Sequence, residues 1–84
     1  MDDQNSPSGS IAIATFEKNK KEEVRVSLET FHGRKLINIR VFYKDDDGTM
    51  KPGKQGIALG VDRYKDLAGA ILALGQHLKT NDLI

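Results

Sequence analysis

Cysteine and tryptophan are absent from the 84 residues, proline occurs twice, and the aromatic rings number only three phenylalanines and two tyrosines. Without cysteine there is no disulfide scaffold, no thiol nucleophile and no thiolate zinc site. No apolar run approaches the eighteen or so residues that a membrane-spanning helix requires. The opening residues, Met1-Asp2-Asp3-Gln4, are acidic and lack an apolar core, so no secretory signal and an intracellular location are expected. A single domain of this size buries only about 60–65% of its unfolded surface, so association with a second copy would add stability.

Net charge is close to zero, with thirteen basic and twelve acidic residues, but the charge is unevenly placed. Between Lys18 and Lys54 there are ten basic residues and six acidic ones, a surplus of four. Three of those six acids are consecutive, Asp45-Asp46-Asp47, and belong to one turn. If that turn points away, the remainder of the segment is more basic than the total implies, a distribution that fits either a polyanion partner or an ordinary mixed solvated surface.

Residues 1–10 carry Asn, Ser, Pro and Gly without an apolar pattern and are expected to form a polar, flexible tail ahead of one domain over 11–84. Ile11, Ile13 and Phe16 open a first strand. Val24, Val26 and Leu28 alternate with Arg25, Ser27 and Glu29, a period of two with one wet face. His32-Gly33-Arg34 interrupts the pattern. Ile37, Ile39, Val41 and Tyr43 then share one parity, with Asn38, Arg40 and Phe42 on the other. Asp45–Gly48 signals a hairpin, Pro52-Gly53 suits the centre of a type II turn, and Gly56-Ile57-Ala58-Leu59 reads as a short last strand.

The period changes after that. Tyr64, Leu67, Ala68, Ile71, Leu74, Gly75 and Leu78 recur at three and four, one stripe of a helix from about Val61 to Lys79. Asp62 and Asp66 near its start and His77 and Lys79 at its end suit the helix macrodipole. The expected fold class is α+β, a four-stranded antiparallel sheet with one long C-terminal helix covering one face.

Chemistry finds little support. Gly48-Thr-Met-Lys-Pro-Gly53-Lys54-Gln55 departs from a phosphate-binding loop only at its last residue, but Gln55 supplies no hydroxyl for Mg²⁺ and a strand follows where a helix must. Registering Gly48 with the glycine of a calcium loop puts Tyr43 and Lys54 in ligand slots. His32 and His77 have no third partner at metal spacing, so no metal or other cofactor is expected. No set of residues offers nucleophile, base and orienter together, so an enzyme is not expected. What remains is a wet sheet face where basic residues stand beside aromatics: Phe31, Arg34, Arg40, Phe42, Tyr43, Lys44, Lys51 and Lys54. That combination suits single-stranded nucleic acid, whose phosphates need cations and whose unstacked bases need rings. By alternation, one of Phe42 and Tyr43 faces the core.

Two signatures, V-S-L-x-x-F-x-G-x-x-L-I-x-I-R over Val26–Arg40 and M-K-P-G-K-x-G-I-x-L over Met50–Leu59, resemble the single-stranded-DNA-binding domain of the transcriptional positive-cofactor-four family. The resemblance runs over about residues 22–72, and the leading Ile11–Asn19 is similar to compact bacterial and phage members. It implies a curved four-stranded antiparallel sheet, a homodimer joined largely through the C-terminal helices, and sequence-tolerant binding of single-stranded or melted DNA in transcription, repair or replication. By the same resemblance, Phe31 stacks a base, Arg40 is a basic strand contact, and Lys51 and Lys54 are basic positions around the Pro-Gly segment. Tyr43 stands where many members have a stacking tryptophan. Gln55 replaces a family lysine, and Glu29 stands where some members are basic. The residues expected to bind nucleic acid are thus Phe31, Arg34, Arg40, Tyr43, Lys51 and Lys54. Leu67, Ile71, Leu74 and Leu78 are expected at the dimer interface. The alternative is a dimeric adaptor that recruits transcription or repair factors with weak nucleic-acid contact. Arg40 and Tyr43 lie on opposite parities, yet the resemblance has both reach the ligand.

Overall fold

A computed structural model describes residues 9–84. Four strands, β1 (Ile11–Asn19), β2 (Glu22–Phe31), β3 (Arg34–Lys44) and β4 (Met50–Gly60), form one antiparallel sheet in sequence order. A 3-10 turn over Val61–Arg63 leads into helix α1 (Tyr64–Thr80). The expected flexible segment, residues 1–10, lies mostly outside the described residues; within them, the Ser10 hydroxyl donates to Glu29 at 3.0 Å.

Tight turns set the register. Lys20-Lys21 joins β1 to β2, with the Asn19 side chain accepting from the Lys21 amide at 2.9 Å. His32 and Gly33 join β2 to β3 with φ of 51° and 76°. Two left-handed residues give the turn a twist that matches the flanking strands. This turn pairs Phe31 with Arg34 and fixes every partner down to Glu22 with Tyr43. The Asp45–Gly48 hairpin is present as expected: the Asp45 amide donates to the Thr49 carbonyl and the Gly48 amide to the Asp45 carbonyl.

The last strand is longer than its sequence implies. It begins at Met50, and Pro52-Gly53 lies within it rather than at the centre of a turn. The pairing passes from Arg40 with Gly56 to Phe42 with Pro52, so β4 sets Gly53, Lys54 and Gln55 against Val41 alone. A bulge of this kind accommodates a proline inside an edge strand, since the ladder is already interrupted there. Gly56 is needed at its base: a Cβ would lie 2.7 Å from the Ile39 carbonyl oxygen and 3.0 Å from the Arg40 Cα. Irregularities at Ile13 and Lys18 break β1 in the same way, so both edges of the sheet are distorted.

Alternation sorts the strands into two faces. Val24, Val26, Leu28, Ile37, Ile39, Val41, Ile57 and Leu59 share the apolar face, joined by Ile11, Ala14 and Phe16 because the Ile13 irregularity shifts the parity of β1. The expected cover for this face is missing. No described residue is buried, and Phe16, Ile57, Ile71 and Leu74 are 59%, 47%, 59% and 52% exposed. Helix α1 stands away from the sheet and meets it chiefly through the 3-10 turn. The radius of gyration is 15.1 Å, against about 12 Å for a compact domain of this length. The apolar stripe of the helix and the apolar face of the sheet are thus both open in a single copy.

The ends of the helix also differ in detail from expectation. Its first turn is 3-10 and has no side-chain cap. At the other end Asp82 adopts φ 57°, letting Asp82 and Leu83 donate to the carbonyls of Lys79 and Leu78. These bonds satisfy acceptors that a helix terminus leaves open.

Candidate nucleic-acid interface

The other face of the sheet is polar and half-buried. Glu23, Arg25, Ser27, Glu29 and Phe31 of β2 lie opposite Phe42, Arg40, Asn38, Leu36 and Arg34 of β3. Phe31, Arg34 and Arg40 therefore share one face. Phe31 ends its strand 57% exposed, with its ring edge-on to His32 at 4.2 Å between centroids. Arg40 reaches across β4 and donates from Nη1 to the Gly53 carbonyl at 3.1 Å.

Two residues of this face, Arg25 and Phe42, lie on the wet side by alternation but are not among the residues expected to bind. Arg25 sits directly opposite Arg40, and its guanidinium lies 4.1 Å above the centre of the Phe42 ring while bonding to Glu23. Like charges at opposed positions in a sheet repel. Stacking on an aromatic ring offsets part of that cost. The signal was available: counting outward from the His32-Gly33 turn puts residue 25 opposite residue 40. The same count puts Phe42 beside both arginines.

Tyr43, Lys51 and Lys54 form a second cluster at the open end of the sheet. Tyr43 pairs with Glu22 on one side and Lys51 on the other, a parity opposite to that of Arg40. Tyr43 and Lys54 line one shallow depression with Glu22, Val41 and Gln55. The β4 bulge links the clusters: Arg40 bonds the Gly53 carbonyl, and a Cβ at Gly53 would lie 3.7 Å from the Tyr43 ring. Residues on opposite parities thus meet one stretch of β4.

Lys51 is already engaged. Its ammonium lies 2.9 Å from Asp45 and 3.8 Å from Asp47. The Lys51 hydrogen bond and the Asp46 amide hold the Asp45 carboxyl below its ordinary value. The Thr49 hydroxyl and amide do the same for Asp47. Glu22 is lowered in turn by hydrogen bonds from Lys18 and Asn19. Lys54, by contrast, is exposed and makes no ion pair among the described residues.

The near-match to a phosphate-binding loop, Gly48–Gln55, runs from the hairpin into β4 and opens no helix. Among the described residues no three His, Cys, Asp or Glu side chains gather at metal-binding distance. No helix among them is long and apolar enough to cross a membrane.

Comparison with known proteins accords with this architecture. Residues 18–70 match the family described as Transcriptional Coactivator p15 (PC4). The chain belongs to the PC4 family. It is 41% identical over 73 residues to the RNA polymerase II transcriptional coactivator SUB1 of Saccharomyces cerevisiae, covering 86% of this chain and 24% of the yeast protein. The chain spans between about a quarter and just over half the length of the curated relatives it matches. Its fold matches the crystal structure of BPSL1147, a PC4 homolog from Burkholderia pseudomallei, with a TM-score of 0.71 at 25% identity over 76% of this chain and 86% of that one. The MoSub1–DNA complex aligns with a TM-score of 0.57 at 36% identity, covering 90% of each chain. The PC4 order of four antiparallel strands and a C-terminal helix is the order found in this chain.

Proposed function

We propose that this chain binds single-stranded or melted DNA across the polar face of its sheet as a homodimer, and that it acts with the transcription machinery as a coactivator or in DNA repair and replication. The observation that carries the reading is the Arg25–Arg40 pair. Arg25 and Arg40 hold facing register positions in the middle of a half-buried face, with the Arg25 guanidinium over the Phe42 ring, and a polyanion relieves the repulsion of two such like charges. Phe31 supplies an exposed ring for a base, and Arg34 a cation beside it. Tyr43 and Lys51 hold the parity of Val41 rather than that of Arg40, so they and Lys54 form a second contact around the β4 bulge, which Lys51 joins when released by its aspartates. PC4 relatives solved with DNA support this use of the fold.

The dimer reading rests on the open apolar stripe of α1. Leu67, Ile71, Leu74 and Leu78 meet the same residues of a second copy, which shields the apolar sheet face as well. Among the described residues none is buried in one copy alone, and a domain needs a core. The adaptor reading has its own observation, the carboxylates of Glu29, Asp45 and Asp47 beside the basic residues.

Fluorescence anisotropy decides between them, using a labelled single strand of about 20 nucleotides, its duplex and an RNA counterpart over a salt series. Tight single-strand binding with a steep salt slope and weaker duplex binding is the expected result. No single-strand preference at low salt would remove the DNA reading and leave the adaptor.

A further inference from the structure

Glu29 is out of place on a surface that neutralises phosphates, and its surroundings give it a different task. Its Oε2 accepts from the hydroxyls of Ser10 at 3.0 Å and Ser27 at 2.8 Å. Those two bonds fix the carboxylate on the polar face. Oε1 has no partner among the described residues and keeps its acceptor capacity. Asn38, opposite Ser27 in the middle of β3, is half-buried, and its amide likewise bonds to no described residue. Asparagine is disfavoured in strands, and a half-buried amide without a partner is a cost that a ligand could offset.

Both groups border the same hollow. A depression of about 270 Å³ lies between Phe31 and Arg40, lined also by Glu29, Asn38, Leu36 and Ala58. It offers a ring for stacking, an arginine for phosphate, apolar walls, and two polar residues in its lining. A second hollow of about 130 Å³, between Arg25 and Phe42, shares Glu29 and Asn38 as its wall.

We propose that this hollow is a base-reading subsite in which Glu29 and Asn38 select guanine. The chemistry follows from the two groups. A carboxylate only accepts hydrogen bonds, so it requires donors from the base edge. Guanine presents adjacent N1–H and N2–H donors with the O6 acceptor beside them. Oε1 of Glu29 takes the donors, and the Asn38 amide donates to O6. Thymine offers one N–H flanked by two carbonyl oxygens, which the carboxylate repels. Adenine and cytosine each offer an amino group next to a ring acceptor. The subsite rests on the proposed single-strand binding and adds a preference to a surface otherwise indifferent to sequence.

The test uses the full chain and strands of equal length: thymine only, thymine with isolated guanines, and thymine with hypoxanthine at the same places. Isolated guanines avoid self-association of the strand, and hypoxanthine lacks only the N2 amino group. Guanine strands bind about tenfold tighter than thymine strands, within the range for a well-made base contact, and hypoxanthine strands fall between them. Glu29→Gln brings the guanine-to-thymine ratio towards one and raises thymine-strand affinity, because a negative charge leaves a phosphate-binding face. Equal binding of all three strands by the parent protein overturns the subsite while leaving the single-strand reading standing. No binding of any strand overturns both. A ratio unchanged in a folded Glu29→Gln protein, checked by circular dichroism, overturns the role of Glu29.

Discussion

Replacing Arg40 with alanine separates a binding role from a structural one, because the two predict opposite balances of stability and affinity. In the free protein Arg40 gains a hydrogen bond to the Gly53 carbonyl, and a charged donor contributes about 1.5–3 kcal/mol there. Against this stands Arg25 in the facing position. Arg25 is itself paired with Glu23, so the like-charge pairing costs no more than the roughly 0.2–1 kcal/mol of a cross-strand pair. The second term offsets part of the first, so Arg40→Ala should lower unfolding free energy by no more than about 2 kcal/mol. Binding has no such compensation. Loss of one phosphate contact should weaken single-strand affinity about tenfold at low salt and flatten the log–log salt slope by about 0.7. Urea denaturation gives the first number and anisotropy over a salt series the second. Affinity lost with the slope unchanged, or stability reduced by several kcal/mol, would refute the reasoning. Arg40→Lys should restore most of the slope, since an ammonium still neutralises phosphate.

Other perturbations have equally definite outcomes. Phe31→Ala should weaken single-strand binding roughly tenfold, as expected for one lost stacking ring, with circular dichroism unchanged. Leu74→Glu puts a charge on the open apolar stripe of α1 and should abolish the dimer in sedimentation velocity; an intact dimer would remove that helix face from the interface. Asp45→Asn should release Lys51 and tighten single-strand binding by roughly twofold to fivefold in anisotropy. The lowered carboxyls of Asp45 and Asp47 support the hairpin fully at neutral pH, and that support is lost only as pH falls through their lowered values. Amide chemical shifts of Asp46 and Thr49 should therefore move well into acid. Gly56→Ala forces a methyl onto the Ile39 carbonyl and should lower stability by about 1–3 kcal/mol in thermal unfolding.

The strands were legible wherever side-chain alternation was regular. β2 and β3 follow the expected parity throughout because a two-residue turn joins them without irregularity. β4 was only half legible, since a proline and two glycines obscure alternation and the bulge at Gly53–Gln55 lets the strand continue through residues that ordinarily end one. The helix stripe was legible but its partner was not. Periodicity shows that Leu67, Ile71, Leu74 and Leu78 share a side, and says nothing about whether that side meets its own sheet. Within the candidate interface, composition and resemblance singled out Phe31, Arg34 and Arg40, which the register sets on one face. Alternation set Arg25 and Phe42 on the wet face too, but that Arg25 faces Arg40 emerges only from register, which is a property of pairs.

The absence of a buried residue among the described ones has a kinetic meaning too. A chain with no interior of its own has nothing to collapse around at high dilution, so under the dimer reading folding and assembly are a single bimolecular reaction. Its midpoint of thermal unfolding should then climb with protein concentration, and refolding should slow as the solution is diluted. DNA titrations at low protein concentration would record that reaction along with binding. A nucleic acid that engages both copies would act as a template for folding as well as a ligand.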